Sequence, residues 1–282
     1  MQTYRHESGR VYMLGCEKPQ FRSRFTRYTS AAPVHDLATI LKAIADGRNS
    51  LRQWLYAILD QGSRPWCWDY SATQTLMVLL NKLYGDQTIL DTSVGPVLTG
   101  VFGGNSIDAM ITEVQSVYGQ PDAHFMGTDP VHAKTNTHKM QWPTGWQAQA
   151  LKRKGDDATK LVCTSALQLA SALIDMGPND PSHPGTIGVD WQGGGHALCV
   201  LEVGSDDGQN LFFAGPNSWS MSFDSGWGSY PGRAGWWKLT GAQIASSFSD
   251  NGFGAYVLMD AADAGATPVN VDPGPPPMPR VE

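Results

Sequence analysis

The stretch DQGSRPWCWDYSA (Asp60–Ala72) sets Cys67 between Trp66 and Trp68, after an Asp-Gln-Gly turn and before an apolar run. A thiol there can act as a nucleophile if it is activated, if a base stands near it, and if that base is held in orientation. The segment CWDYSATQTLMVLLNKLY contains neither Gly nor Pro and stops at Gly85, which predicts a helix that begins at Cys67 itself. At a helix start the dipole and the unpaired backbone N–H groups stabilise a thiolate. His196 is the candidate base, because it follows Gly193, Gly194 and Gly195 and opens the apolar run HALCVLEVG. Asn217, in AGPNSWSMSFDSGWG, is the candidate orienter: a neutral amide holds an imidazole without adding charge, and Trp219 would shield that bond from water. Gln61 precedes Cys67 by six residues, so its side-chain amide and the Cys67 backbone N–H can converge on one carbonyl oxygen as oxyanion donors. Together these residues have the parts for acyl transfer through a thiol.

The surrounding elements must bring these residues to one place. VHDLATILKAIADG (34–47) has helical apolar spacing and a terminal Gly, and NSIDAMITEVQSVYG (105–119) and TSALQLASALIDMG (164–177) share that form. RVYML, near the N-terminus, is a candidate strand within an otherwise irregular arm, and 121–155 is polar and rich in Pro, Gly and Thr, a long loop by composition. From residue 185 the texture changes. GTIGVDW, HALCVLEVG, NLFFAGPNSW, GWWKLT and GAYVLMD are short apolar runs between Gly-rich turns, the pattern of antiparallel strands. A helical half followed by a β half is an α+β arrangement with a cleft between the two.

Composition narrows the function. The 282 residues carry a formal net charge of −6, which argues against a nucleic-acid binder. Arg5, Arg10, Lys18, Arg22, Arg24 and Arg27 form a basic N-terminal arm, and AGATPVNVDPGPPPMPRVE is a Pro-rich tail. Cys16, Cys67, Cys163 and Cys199 form no CxxC pair and no disulfide framework, and Cys163 and Cys199 sit in apolar runs as core thiols. His124, His132 and His138 share one polar segment without metal-ligand spacing. No run approaches the roughly 18 apolar residues of a membrane span, and MQTYRHESGRVYML lacks a signal-peptide core. The expectation is a cytoplasmic protein without metal or cofactor, with virion association or non-classical export as alternatives.

These residues resemble the papain-like cysteine proteases. DQGSRPWCW keeps Gln61, Gly62, Ser63, Cys67 and Trp68 in the register of that family, whose Gln-Gly turn precedes a Cys-Trp at a helix start. His196 and Asn217 lie 129 and 150 residues after Cys67, within the family's range of about 130–150. NSW and GWG (217–219 and 226–228) resemble its signature after the third catalytic residue, and FGGNSIDAM resembles the glycine pair that lines its substrate groove. The resemblance spans about Ser50 to Met259. It implies a two-lobed fold, a helical lobe and an antiparallel β lobe with the active-site cleft between them. By it Cys67 is the nucleophile, His196 the acid/base, Asn217 the orienter and Gln61 an oxyanion donor. Gly103, Gly104, Gly195, Trp66 and Trp219 would line the groove. The implied domain organisation is an arm and short helix (1–49), a peptidase domain (50–262) and a flexible tail (263–282).

The chain also departs from the family pattern. Arg64 stands where secreted members carry a bridged cysteine, and Pro65 and Trp66 replace the usual small residues. WCW looks more like bacterial papain-like effector peptidases, which commonly use Asp where this chain has Asn217. Trp66 is expected to narrow the groove. Residues 1–50 are too short for the family's inhibitory propeptide and lack its helical pattern. The function implied is a cysteine endopeptidase acting on protein or peptide substrates. The alternatives are a structural or docking subunit of a larger assembly such as a virus particle, engaging a partner through the arm or tail, and a related amidase or isopeptidase.

Overall fold

A computed structural model describes residues 2–5, 11–14, 16–17, 29–31, 34–115, 118–134, 142–153 and 158–260. Most of the basic arm (Arg10, Lys18, Arg22, Arg24, Arg27), His138 and the Pro-rich tail lie outside these residues. In chain order the elements begin with β1 (Gln2–Arg5), β2 (Val11–Leu14), β3 (Thr29–Ala31), α1 (Leu37–Ala45) and α2 (Cys67–Tyr84). α3 (Val94–Thr99), a π-helical turn (Ala109–Gln115), α4 (Ala123–Met126), α5 (Trp146–Leu151), β4 (Ala158–Cys163) and α6 (Ala166–Leu173) follow. The β half holds β5 (Gly185–Trp191), β6 (Gly194–Val200), β7 (Glu202–Ser205), β8 (Leu211–Pro216), β9 (Trp236–Thr240), α7 (Gly241–Ser249) and β10 (Ala255–Asp260).

α2 organises the molecule. It starts at Cys67 and ends where Gly85 turns left-handed (φ 67°) and donates its N–H to the Asn81 carbonyl. Every residue from Cys67 to Leu79 is buried, polar ones included. Each polar side chain in this run needs a partner, because an unpaired buried group costs about 1–3 kcal/mol. Thr75 donates to the Gly185 carbonyl at 2.9 Å and pairs with the Thr186 hydroxyl at 2.7 Å. Gln74 donates to the Ala57 carbonyl (2.7 Å) and accepts from the Leu59 N–H (3.1 Å). On the opposite side Gln120 donates to Thr73, and Gln115 donates to the Ala72 carbonyl. The helix thus lies between the π-helical turn on one side and β5, β6 and β10 on the other.

The strands form a five-stranded sheet in the order β3-β4-β10-β5-β6, a three-stranded sheet β7-β8-β9 and the hairpin β1-β2. All pairings are antiparallel except β3 on β4. HALCVLEVG, expected as one strand, divides: β6 ends at Val200 and β7 begins at Glu202 in the neighbouring sheet. The expected irregular arm contains the β1-β2 hairpin, and β3 and α1 are built into the fold. The long loop expected over 121–155 is interrupted by α4, a 3₁₀ turn at Pro130–His132 and α5. The helix expected over 105–119 takes π-helical form at Ala109–Gln115, and Gly119 has a left-handed backbone (φ 75°).

Two close approaches set the geometry between the sheets. A Cβ on Gly215 of β8 would lie 2.1 Å from the Cys199 carbonyl oxygen of β6, so only glycine lets these strands approach so nearly. Trp237 of β9 closes the same junction by donating its indole N–H to that carbonyl at 2.8 Å. Asn217, two residues past Gly215, is carried toward His196 on β6 as a result.

Candidate active site

His196 and Asn217 are both wholly buried. The His196 Nε2 and the Asn217 Oδ1 are 3.1 Å apart. An amide oxygen only accepts, so Nε2 carries the proton and Nδ1 of the neutral ring bears the lone pair. Nδ1 is buried and makes no hydrogen bond to the described residues. Trp219 stacks on the imidazole with ring centres 4.5 Å apart and planes at 25°, and Trp191 meets the ring edge-on at 5.3 Å. Phe223 and Trp227 extend this apolar wall. Burial holds the His196 pKa down to about 4, against a smaller upward pull from the Asn217 hydrogen bond. The ring is therefore a neutral base in this closed arrangement.

The segment before Cys67 is bonded to the segment after Asn217. The Gln61 N–H donates to the Ser218 carbonyl (2.8 Å), and Asp60 pairs with Trp219 in a β-bridge. The Ser218 hydroxyl donates to Gln61 Oε1 (2.5 Å), and Gln61 Nε2 donates to the Arg64 carbonyl (2.7 Å). The amide plane of Gln61, six residues before Cys67, is thus fixed from both ends. Gly62 turns left-handed (φ 58°) with its N–H on the Asp60 carboxylate (2.9 Å), which reverses the chain into the start of α2. Cys67, the first residue of α2, is buried, and α2 packs on β6, the strand that carries His196.

The other wall is tied to the same helix start. Trp68 donates its indole N–H to the Gly103 carbonyl (3.2 Å), and Trp66 donates to the Phe102 carbonyl (3.1 Å). Trp66 is buried beneath that loop, with the Arg64 guanidinium 5.2 Å over its ring. Gly104 follows directly, before Asn105. Cys16 links this segment to Gly195 of β6. Its N–H donates to the Gly195 carbonyl (2.9 Å), and the Glu17 N–H donates to the Asn105 carbonyl (2.9 Å).

The other thiols are buried as Cys67 is. Cys163 and Cys199 are buried, and desolvation pushes each up to about 12. None of the four cysteines is in a disulfide. Glu202 pairs with Arg233 at 2.7 Å, away from this site. Sequence reasoning missed Ser218 and Trp191. Ser218 sits inside the NSW block and Trp191 ends the GTIGVDW strand, yet neither reveals its contact partner without the fold.

No family model matches the chain, and no curated protein matches it by sequence. Solved structures do match. Xylellain, a cysteine protease from Xylella fastidiosa, superposes with a TM-score of 0.61 at 12% identity, covering 88% of this chain and 96% of its own. Procathepsin L2 from the larval midgut of Tenebrio molitor gives 0.58 at 14% identity, covering 88% and 78%. The bromelain protease of Ananas comosus, solved with the E64 inhibitor, gives 0.51 at 14% identity, covering 74% and 97%. Shared architecture at such low identity, with helices around α2 and antiparallel sheets facing them, gives this chain the two-lobed α+β fold of the papain-like cysteine proteases.

Proposed function

We propose that this protein is a cysteine endopeptidase that hydrolyses peptide bonds through Cys67, His196 and Asn217. One observation carries the reading: a buried imidazole is bonded at Nε2 to a neutral amide and roofed by tryptophans, its Nδ1 has no hydrogen bond to the described residues, and its strand β6 packs on the helix that Cys67 begins.

The steps follow from these groups. The Cys67 thiol passes its proton to His196 Nδ1, and the sulfur attacks the substrate carbonyl carbon. The carbonyl π electrons move to oxygen, where the Cys67 backbone N–H and the Gln61 amide serve as donors. Collapse of the tetrahedral species breaks the C–N bond while the imidazolium protonates the leaving amine. Water then gives a proton to His196, attacks the thioester carbon, and displaces the Cys67 sulfur, which takes the proton back. Asn217 keeps the ring in the tautomer and orientation that both halves need. By this reading Gly103, Gly104 and Gly195 line the groove, and Trp66 and Trp219 pack behind it. Protein or peptide is the substrate, and no step calls for a metal or cofactor.

The test is covalent labelling of the native protein with an irreversible epoxide-type thiol-protease inhibitor, followed by peptide mapping and hydrolysis of a fluorogenic peptide. Cys67 should carry the label, and Cys67→Ala should abolish both signals. Labelling spread evenly over Cys16 and Cys67, or hydrolysis that survives Cys67→Ala, refutes the assignment.

A further inference from the structure

Arg64, just ahead of α2, is a cation with most of its donors unengaged. Its Nη1 donates to the Ala133 carbonyl at 3.2 Å, and the guanidinium carbon lies 5.2 Å from the centre of the Trp66 ring. Among the described residues no carboxylate pairs with it. Asp129, the carboxylate at the head of the 130–133 turn, is held by His132 at 2.7 Å. Lys134, exposed beside Ala133, adds a second positive charge. The Arg64 side chain is half-buried, and a guanidinium in that setting presents a planar fork of N–H groups that fits a carboxylate.

The same residues that hold Arg64 hold the groups assigned to chemistry. The Arg64 N–H donates to the Gln61 carbonyl (3.2 Å), and Gln61 Nε2 donates back to the Arg64 carbonyl (2.7 Å). The Asp60 N–H donates to the Pro130 carbonyl (2.7 Å), which ties the turn bearing Ala133 to this segment. Trp66, the ring against the guanidinium, directly precedes Cys67, and its indole is bonded to the Phe102 carbonyl. The ring restrains the plane of the guanidinium, so less freedom is lost when a carboxylate docks on it. A peptide whose attacked carbonyl meets the Gln61 amide carries a side chain on the carbon next to that carbonyl. That side chain therefore starts beside the Gln61–Arg64 turn.

We propose that Arg64 determines specificity by drawing an acidic side chain, Glu or Asp, at the substrate residue whose carbonyl Cys67 attacks. This rests on the peptidase reading and names its substrate class: peptides cut after an acidic residue. A lysine at that position meets Arg64 and Lys134 and is repelled. A purely structural Arg64, one that only ties the 130–133 turn to the Gln61 segment, would affect all peptides alike, and this difference separates the two roles.

The experiment uses the full chain and three fluorogenic peptides that differ only at that residue: Glu, Gln or Lys. In wild type kcat/KM should fall in that order, by about fivefold at each step, the upper range of a solvent-accessible ion pair. The difference should lie mainly in KM, because the contact is the same in ground and transition states. Added salt should shrink it. Arg64→Gln should bring the Glu-to-Gln ratio close to one, and Arg64→Glu should reverse the order so that the Lys peptide leads. Arg64→Lys should keep the order with smaller ratios, since it retains the charge and loses the fork. Ratios within one variant cancel any loss of folded protein. The same peptides titrated onto Cys67→Ala read the preference without turnover. Equal treatment of the three peptides by wild type, or an order that survives Arg64→Glu, overturns the proposal and leaves the peptidase reading standing if hydrolysis is seen. Acidic preference in binding to Cys67→Ala, with no hydrolysis by wild type and no labelling of Cys67, upholds the Arg64 contact and sinks the peptidase reading. Neither hydrolysis nor binding of any peptide overturns both.

Discussion

Gly215→Ala tests whether the junction between β6 and β8 sets the catalytic geometry. The added Cβ would sit 2.1 Å from the Cys199 carbonyl oxygen, and real Cβ contacts essentially never fall under 3.0 Å, so the strands must part by about 0.9 Å. Cys199 lies three residues after His196, and Gly215 two before Asn217. The same displacement would stretch the His196–Asn217 contact from 3.1 Å to about 4 Å, beyond hydrogen-bonding range. A misplacement of about 1 Å at a reacting group costs on the order of 10²-fold in rate. Forcing atoms into a packed junction costs about 1–3 kcal/mol of stability. The assay is kcat/KM on a fluorogenic peptide beside thermal unfolding, with far-UV circular dichroism to confirm that the fold persists. Asn217→Ala should give a comparable rate loss. The double variant should be no slower than either single, because both remove one interaction. A Gly215→Ala protein with wild-type kcat/KM, or losses that multiply in the double variant, would refute the reasoning.

Gln61→Ala should cost about 2.7–4 kcal/mol of transition-state stabilisation in kcat/KM, and Ser218→Ala, which only loosens the Gln61 amide, should cost less. Equal losses from the two would reassign Gln61 to a structural role. Burial, reinforced by the Asp91 charge and weakly opposed by the Thr73 hydroxyl, pushes Asp69 well above the usual carboxylate range. Such a group binds its proton more tightly folded than unfolded. Its contribution is full below the unfolded value of roughly 3.9 and is lost as pH rises toward the folded value. Asp69→Asn should therefore gain melting temperature relative to wild type between pH 4 and pH 7, and a constant difference across that range counts against the shift. Dithiothreitol should leave the melting temperature unchanged, since none of the cysteines is bridged. A drop of several degrees with a mass shift would show a disulfide.

The sequence alone determined the local elements and the chemistry they carry. Cys67 heads a helix because the next 17 residues contain no Gly or Pro and Gly85 then ends it. GTIGVDW is a strand over its whole length, and Thr186, Ile187, Val189 and Trp191 supply the β-branched and aromatic residues that suit one. Gln61, Cys67, His196 and Asn217 stood out because their types and order suit acyl transfer. What the sequence left open depends on contacts between distant segments. Nothing in HALCVLEVG marks Leu201 as the point where the chain changes sheets, because that is decided by pairing with Ala214 on β8. Nothing in the sequence marks the polar residues of α2 as buried; partners at positions 57, 115, 120 and 185 meet them from both sides. The sequence assigns Cys16 no setting. Only the tertiary structure places it between Gly195 and Asn105, since those carbonyls come together when the two lobes close on α2, and no local propensity encodes a contact across 179 residues of chain.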